Sequence, residues 1–412
     1  MRFFLREKEK TENVFWGLDI GTESVKMAIF GARRSESGPK NIILSASSHY
    51  FERYGVFDSR NLEDDVVRKA ISKSIQEAKR NLFLCPRAER GLKKKIEREK
   101  KISVFISLSA DKLKTRVFSR AVLRDRPEEK ISKSEEERII GEAIRESKKE
   151  AAEKFSAKSG VAASEIRWLG FKVIEKKIDG YSLPKIQGYK GKKIDLGIIV
   201  FFAAEYYLQT LERILDPLGI GILKIKSPAE NLARSCRGLA ESGVLLDIGG
   251  DITQFLIAEG GLRAIGEIET GAKAFTECLC RSFGLDEESA RNLKERYSSR
   301  SLSAGSVEKI KDLFYREKQN WYHYLEEAIL KESGRRIPFS NFYIFGGGSV
   351  LPEIREVLEK EVGETRDNFS SLSDLGTKTI LPKDLPDFNN LAENAATPQF
   401  TPLFLSLPSW QG

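Results

Sequence analysis

The chain has 412 residues, a net charge of +8, 40% hydrophobic residues and 32% charged residues. A chain of this length can bury large cores in about two to four domains, and its hydrophobic content excludes a disordered protein. The mixed, mildly basic charge would suit an anionic partner such as a nucleotide or a membrane surface, although most of it is expected on solvated surface.

The cysteine and histidine content favours one compartment and argues against one class of metal site. Cys85, Cys236, Cys278 and Cys280 show no paired framework, which favours a reducing compartment. The chain has two histidines, so no Cys/His zinc cluster is expected. The apolar run at 196–204 is far shorter than the roughly 18 residues of a membrane-spanning helix, and no signal peptide is visible. We expect a cytoplasmic protein that is at most peripheral to the inner membrane.

Two segments of the chain are strongly polar. Residues 1–13 form a predicted N-terminal tail that is polar except for Phe3, Phe4 and Leu5. The tail is either frayed or a short basic foot whose apolar residues contact anionic lipid. Residues 87–101 carry eight Lys or Arg against three Glu, without interleaved aromatic residues. This pattern favours a solvated connector over a nucleic-acid site.

Residues 14–101 predict the first part of an α/β domain. The predicted strands lie at 15–19, 25–31 and 41–47. They precede a helix that is capped by Asn61 and has an apolar stripe from Val66 to Ile75. Three strands followed by a helix are typical of a compact α/β unit.

Residues 102–190 predict a small, separate α+β insert within this domain. Its predicted elements are strands at 102–109 and 115–122, a charged helix at 135–155 and an extended segment at 166–178.

Residues 191–240 are then predicted to return to the first domain. A buried strand at 194–203, a helix at 205–215 and a strand at 220–225 predict a β-α-β crossover. Ser227 and Pro228 begin a helix that is predicted to reach about residue 239.

Residues 241–412 predict a second domain with the same beginning as the first. A hairpin at 244–257 leads into a third strand that ends at about residue 268. Predicted helices lie at 271–283, 286–297 and 304–332, followed by a strand at 342–345 and a helix from 352 to about 361. The tail from about residue 364 is weakly patterned and ends in an apolar helix candidate at 402–407.

Two hairpins far apart in the chain have the same construction. Asp19-Ile20-Gly21-Thr22 and Asp247-Ile248-Gly249-Gly250 each join two apolar runs. Glycine turns let backbone amides approach a phosphate group that a Cβ atom would keep away. The predicted phosphate contacts are therefore Gly21, Thr22, Gly249 and Gly250. Taken alone, each motif is more often an ordinary strand that ends in a turn.

Charged residues of the two hairpins predict a metal ion beside the phosphates. Asp19 and Asp247 would repel phosphate, so their predicted role is to hold Mg²⁺ through its water shell. Lys26 can reach a β- or γ-phosphate oxygen as a point charge. A third motif, Gly346-Gly347-Gly348, follows a predicted strand and can let an adenosine pack against the backbone.

In this order, the motifs resemble those of the actin-like ATPase superfamily. Residues 17–26 resemble its first phosphate motif, 246–253 the second, 342–352 the adenosine motif and 227–235 the connecting helix. The resemblance implies an α/β fold of two actin-like, ribonuclease-H-like domains that flank a nucleotide cleft, with ATP and Mg²⁺ as cofactors. It also implies cofactor contacts from Thr253, Gly271, Lys294 and Ser349.

Within the superfamily, the chain is most similar to the FtsA family and next to the PilM family. The insert resembles the SHS2 subdomain of this branch, and residues 179–191 resemble the end of that subdomain in FtsA. Residues 260–277 and 396–402 resemble both families. An FtsA-like protein would self-associate and link FtsZ-like filaments or another divisome protein to the membrane. A PilM-like protein would be a type IV pilus adaptor that binds a peptide of an inner-membrane partner.

Some residues depart from the family pattern. Asp251 and Ile252 stand where glycine and threonine are usual, and a carboxylate there is expected to weaken nucleotide binding unless a cation bridges it. Arg291 stands where a glutamate is common, which leaves ribose recognition open. No basic amphipathic helix follows residue 407, so membrane attachment is expected through residues 1–13 or through a membrane-bound partner.

Any hydrolysis of nucleotide is expected to be slow. Asp247 is the evident candidate for a general base, and Glu230 on the connecting helix is a candidate for orienting water. A phosphotransferase of the sugar-kinase type would need an aspartate aimed at a hydroxyl group in a pocket between the domains. No such motif is evident in the sequence.

Overall fold

The computed structural model describes residues 13–35, 38–52, 63–86, 88, 90–99, 101–232, 242–334, 341–368, 376–385 and 388–408. The described strands are β1 Asn13–Ile20, β2 Ser24–Ser35, β3 Gly38–Tyr50, β4 Ile102–Leu108, β5 Lys114–Leu123, β6 Ile166–Ile178, β7 Tyr181–Ser182, β8 Lys193–Ala204, β9 Ile220–Lys226, β10 Ser242–Ile248, β11 Thr253–Glu259, β12 Leu262–Ile268, β13 Asn341–Phe345, β14 Gly376–Thr379 and β15 Phe388–Asn390. The α-helices with described bounds are α1 Asp64–Leu84, α2 Arg90–Arg98, α3 Lys133–Ser159, α4 Glu205–Leu215, α5 Lys273–Phe283, α6 Glu287–Ser298, α7 Ala304–Ser333, α8 Pro352–Asn368 and α9 Thr401–Leu405. Within this part of the chain, no helix is both long and apolar enough to span a bilayer.

The two large sheets repeat one topology. The first sheet has the order β15-β3-β2-β1-β4-β9, and the second has the order β12-β11-β10-β13-β14. In each, the first three strands along the chain pair antiparallel, and the next two run parallel to the first strand. Helix α1 follows β3 in the first domain, and α5 to α7 follow β12 in the second. The predicted pair of α/β domains with similar beginnings is therefore present.

The insert forms a sheet of its own in the order β5-β8-β6-β7. The predicted bounds of 102–190 are wrong at both ends. Strand β4 lies between β1 and β9, so residues 102–108 belong to the first domain. Strand β8 lies between β5 and β6, so residues 193–204 belong to the insert. Its apolar run is continuous because alternate residues enter two different cores, one that includes α3 and one between the domains.

The C-terminal part of the predicted second domain returns to the first domain. Strand β15 pairs in parallel with β3, and α9 packs on β1 and β2. The side-chain amide of Asn41 donates to the carbonyl oxygen of Pro408 at 2.8 Å. The sequence of this segment has no marked hydrophobic periodicity, so the pattern does not predict which domain the segment packs against. The boundary at 241–412 is therefore corrected for residues 388–408.

The charged segment at 87–101 contains a helix where a connector was predicted. In α2, Ile96 is buried and Leu92 packs against the core of the first domain. The Lys93 ammonium group donates to the carbonyl oxygen of Cys85 at 2.7 Å. These contacts anchor α2, although most of its side chains are exposed. Residues 1–12 of the predicted tail at 1–13, and the end of the helix that begins at Pro228, lie outside the described residues.

A shared core lies between the units of the molecule. It contains Phe30 of the first domain, Phe201 of the insert, Leu245 of the second domain and Phe404 of α9, each buried. Burial of large apolar side chains from each unit stabilises their association by the hydrophobic effect. The cleft between the domains thus has a packed apolar base.

Substitution of Phe404 tests whether this shared core holds the fold together. The side chain is 0% exposed, so Phe404→Ala is expected to lower the free energy of unfolding by about 3–5 kcal/mol. Phe283→Ala is the matched control, because Phe283 is 47% exposed and its loss should cost less than about 1 kcal/mol. Denaturant titrations followed by circular dichroism measure both. Equal effects would contradict the assignment of α9 to the core.

Candidate nucleotide site

A cavity of about 590 Å³ lies between the two domains. This volume is within the usual range of roughly 300–1,000 Å³ for small-ligand pockets. Both hairpin turns, the turn after β13 and helix α6 contribute to its wall. The lining includes the predicted residues Asp19, Gly21, Thr22, Lys26, Asp247, Gly249, Gly250, Lys294, Gly346, Gly347 and Gly348. Distant motifs of the sequence therefore meet around one space.

Thr253 and Glu230 do not line the cavity. Thr253 is fully buried, and its hydroxyl group donates to the carbonyl oxygen of Thr270 at 2.9 Å and accepts from the indole N–H of Trp321 at 3.0 Å. The Glu230 carboxylate lies 3.6 Å from the Lys226 ammonium group. In this arrangement Thr253 stabilises the second domain, and the water-orienting role of Glu230 stays a prediction.

Gly271 and Ser349 support the wall from behind. A Cβ atom on Gly271 would lie 2.5 Å from the carbonyl oxygens of both Gly249 and Gly250, so glycine is required for this close approach. The Ser349 hydroxyl group donates to the carbonyl oxygen of Gly346 at 2.8 Å. Both residues fix the shape of turns that face the cavity.

Carboxylates from both domains converge at the floor of the cleft. Asp19 and Lys26 are opposite each other on β1 and β2 and form a buried ion pair with an N–O distance of 2.9 Å. Asp247 faces the cavity but is otherwise enclosed, and burial, together with the charge of Asp19, raises its pKa to about 7. Lys26 also lines the cavity, and its remaining N–H groups are available to a phosphate.

This donor set is compatible with a hydrated Mg²⁺ ion. A cation near Asp19 and Asp247 would relieve their mutual repulsion. Among the described residues, no group of three or more His, Cys, Asp or Glu side chains could hold a metal ion. Water and phosphate oxygens would therefore have to supply most of the ligands, which is usual for Mg²⁺ at nucleotide sites.

The glycine triplet divides into two structural positions and one open position. Gly346 has φ of +86°, and a Cβ atom there would lie 2.5 Å from a carboxylate oxygen of Asp247. A Cβ atom on Gly348 would lie 2.5 Å from the Ile248 side chain. A Cβ atom on Gly347 would meet no described atom within 4 Å, and Gly347 lines the cavity. Gly347 is thus the position with room for a ligand.

The wall from helix α6 carries two buried cations. Lys294 donates to the carbonyl oxygen of Ala272 at 3.0 Å, and burial lowers the pKa of its ammonium group. The Arg291 guanidinium lies 4.6 Å from the ring centre of Tyr50 and donates to the carbonyl oxygen of Phe51 at 3.4 Å. Arg291 therefore bridges the two domains beside the cavity.

Asp251 does not line the cavity and has a cation of its own. Its carboxylate forms an ion pair with Lys273 at 2.9 Å. Burial raises the pKa of Asp251, and Lys273 acts in the opposite direction. The predicted repulsion between this carboxylate and a phosphate is therefore reduced by a protein cation.

Several lining residues were not predicted from the sequence: Glu23, Tyr50, Ser107, Ser109, Gln254 and Glu295. Ser107 pairs with Asp19 across parallel strands, and its buried hydroxyl group has no hydrogen-bond partner among the described residues. Ligands of open α/β sheets bind at the carboxyl ends of such strands. That signal was missed because 102–108 had been assigned to the insert.

Neither a protein-family model nor a curated protein sequence matches the chain. Among solved structures, a chain of the PilM–PilN type IV pilus biogenesis complex matches with a TM-score of 0.63 and 15% identity, over 95% of this chain and 96% of that one. The chain has an actin-like fold. At this identity the likeness establishes the fold alone.

Two further structures are similar over nearly the whole chain but with lower scores. The ethanolamine utilization protein EutJ from Carboxydothermus hydrogenoformans has a TM-score of 0.49 and 11% identity, over 97% of this chain and 91% of that one. MreB5 of Spiroplasma citri bound to ADP has a TM-score of 0.40 and 10% identity, over 96% and 95%. These scores add no argument about function.

The raised pKa of Asp247 predicts a pH-dependent stability in buffer that contains a metal chelator. The unfolded chain loses the Asp247 proton near pH 4, and the folded chain near pH 7. The free energy of unfolding therefore falls as pH rises through that window. The asparagine of Asp247→Asn does not titrate. Relative to wild type, the free energy of unfolding of this variant is therefore expected to rise by roughly 1–3 kcal/mol as pH increases from 4 to 7.5.

Denaturant titrations at several pH values measure this difference. Asp125→Asn is the control, because Asp125 is exposed in the loop after β5. Parallel pH profiles for wild type and Asp247→Asn would show that the carboxyl group is not perturbed by its site.

Proposed function

We propose that the chain is an adaptor protein that binds an adenine nucleotide with Mg²⁺ in the interdomain cavity, with ATP as the nucleotide that the sequence resemblance implies. The convergence of Gly347 and both hairpin turns on one cavity supports this assignment. The adenosine would lie beside Gly347 and the α6 wall, and Asp19 and Asp247 would hold the hydrated Mg²⁺. The nucleotide would contact both domains and so change the population of closed conformations.

Backbone amides at the tips of the hairpin turns would donate most of the hydrogen bonds to the phosphates. The Gly21 and Gly249 amides already donate to carbonyl oxygens within their own turns, at 3.0 and 2.9 Å. The following amides, from Thr22, Glu23 and Gly250, are the candidates for a phosphate group. Asp247 lines the cavity and is the candidate to accept a proton from water. We expect hydrolysis that is slow at most.

The partner role that we propose is of the PilM type, at the cytoplasmic face of the inner membrane. The similarity to the PilM–PilN complex chain spans the insert as well as both domains. At one end of the insert sheet, Leu123, Tyr181 and Tyr189 are 68%, 78% and 44% exposed. Leu123 lies on β5 and Tyr181 on β7, at the two edges of the sheet, and exposed apolar side chains there are candidates for contacts with a partner. A peptide of an inner-membrane partner would bind to this part of the insert.

An FtsA-type scaffold, with self-association and an FtsZ-like or other divisome partner, is the second candidate. It is favoured by residues 179–191, which resemble the FtsA insert. In the structure, the Asp179 carboxylate accepts from the amides of Lys192 and Lys193 at 3.2 and 2.8 Å. Gly191 has φ of +154° and leaves no room for a Cβ atom beside Ile178. This segment stabilises the insert itself, so it supports the insert fold more than the partner.

Nucleotide binding is tested by calorimetric titration of Mg·ADP and Mg·ATP into wild type and Gly347→Val. A side chain at Gly347 would project into the cavity, so both nucleotides are expected to bind at least tenfold more weakly, without loss of stability. Gly305→Val is the matched control, because Gly305 also has open space around it and lies in α7, away from the cavity lining. No heat from either nucleotide with folded wild type would refute the proposed site.

The partner role is tested by fluorescence anisotropy with the cytoplasmic peptide of a PilN-type protein from the same genome. Leu123→Asp and Tyr181→Asp are expected to weaken binding at least tenfold, because each places a charge on the exposed surface of the insert. Tyr315→Asp, 62% exposed on α7, should bind normally. Co-sedimentation with FtsZ filaments and anionic vesicles, without peptide binding, would favour the FtsA-type role instead.

A further inference from the structure

The side chain of Glu23 crosses the cleft between the two hairpin turns. Glu23 belongs to the turn between β1 and β2, yet its Cγ and Cδ atoms would lie 2.5 and 2.7 Å from a Cβ atom built on Gly250. The same two turns are also joined by a hydrogen bond, which the Asp251 amide donates to the Thr22 hydroxyl group at 3.2 Å. The tips of the two turns are therefore in direct contact, and Glu23 fills the space that Gly250 leaves open.

One oxygen of the Glu23 carboxylate, Oε1, is buried in this position without a hydrogen-bond partner among the residues that the structure describes. A buried carboxylate oxygen without a partner costs free energy, which the fold tolerates here at the centre of the candidate site. The adjoining Asp251 carboxyl group has its pKa raised by burial and lowered by Lys273, and the charge of Glu23 raises it further.

In the proposed binding mode, a polyphosphate chain would end at this contact. The proposed site places adenosine beside Gly347, and a phosphate chain that runs from there towards both hairpins ends between the turn tips. A terminal third phosphate would meet the Glu23 carboxylate and would require the Thr22–Asp251 hydrogen bond to break. A diphosphate would end one anionic group earlier, and like charges at close range in a partly buried site repel strongly.

We infer that Glu23 makes the site selective for a nucleoside diphosphate over a triphosphate. Its side chain occupies the position that the terminal phosphate would take, and its negative charge repels that phosphate. This inference rests on the proposed function of the cavity. In the diphosphate complex the turn tips stay in contact, as they are in the structure. Binding of a triphosphate displaces Glu23 and separates the turns, so the two nucleotides stabilise different widths of the cleft.

Calorimetric titrations of Mg·ADP and Mg·ATP into wild type, Glu23→Ala and Glu23→Gln test this selectivity. Wild type is expected to bind Mg·ADP at least tenfold more tightly than Mg·ATP. Glu23→Ala removes both volume and charge, so its affinity for Mg·ATP should rise at least tenfold while that for Mg·ADP changes less than threefold. Glu23→Gln keeps the volume and removes the charge, so its gain for Mg·ATP should be smaller. Glu52→Ala, an exposed neighbour on the surface, should leave the ratio unchanged.

The outcomes separate this inference from the proposed function. Equal affinities for the two nucleotides in wild type, or a ratio that Glu23→Ala does not change, would overturn the role of Glu23 and leave the nucleotide site standing. Binding of neither nucleotide to wild type or to Glu23→Ala, with both proteins folded by circular dichroism, would remove the nucleotide site itself. A rise in affinity for Mg·ATP in Glu23→Ala, without such a rise in Glu52→Ala, would support the inference.

Discussion

The contact between the two hairpin turns sets the width of the cleft. The Asp251 amide bonds to the Thr22 hydroxyl group, and Gly250 has no side chain that would push Glu23 away. Behind the second turn, Gly271 allows its backbone to approach within contact distance of the turn carbonyls. The shape of the cavity therefore depends on glycine at positions where two chain segments meet, because a Cβ atom at either glycine would force the segments apart.

Carboxylates and cations both line the cavity. The floor carries Asp19 and Asp247, and the ammonium group of Lys26 is already neutralised by Asp19. The wall from α6 carries Lys294 and Arg291, which are held by backbone carbonyls and by the Tyr50 ring. A Mg²⁺ ion would complement the floor, and an anionic nucleotide would complement the wall. Glu295 of α6 also lines the cavity, so the wall carries a carboxylate beside its two cations.

The insert is connected to both domains. It interrupts the first domain in sequence, and its strand β5 lies against β12 of the second. The Glu267 carboxylate on β12 is buried, and Lys114 at 2.6 Å and Arg116 at 3.3 Å keep its pKa low despite that burial. Loss of either cation would leave a buried charge partly unpaired, which is costly. These ion pairs therefore hold the insert against the second domain.

The sequence predicts the two hairpins, helix α4 and the start of the helix at Pro228, because these follow from periodicity and turn chemistry within short windows. It did not determine which sheet takes 102–108, 193–204 or 388–390, because strand partners are chosen by contacts between residues far apart in the chain. Glu23 was missed for the same reason. Its neighbour Gly250 comes from the other domain, so only the tertiary structure could place the Glu23 carboxylate between the two turns.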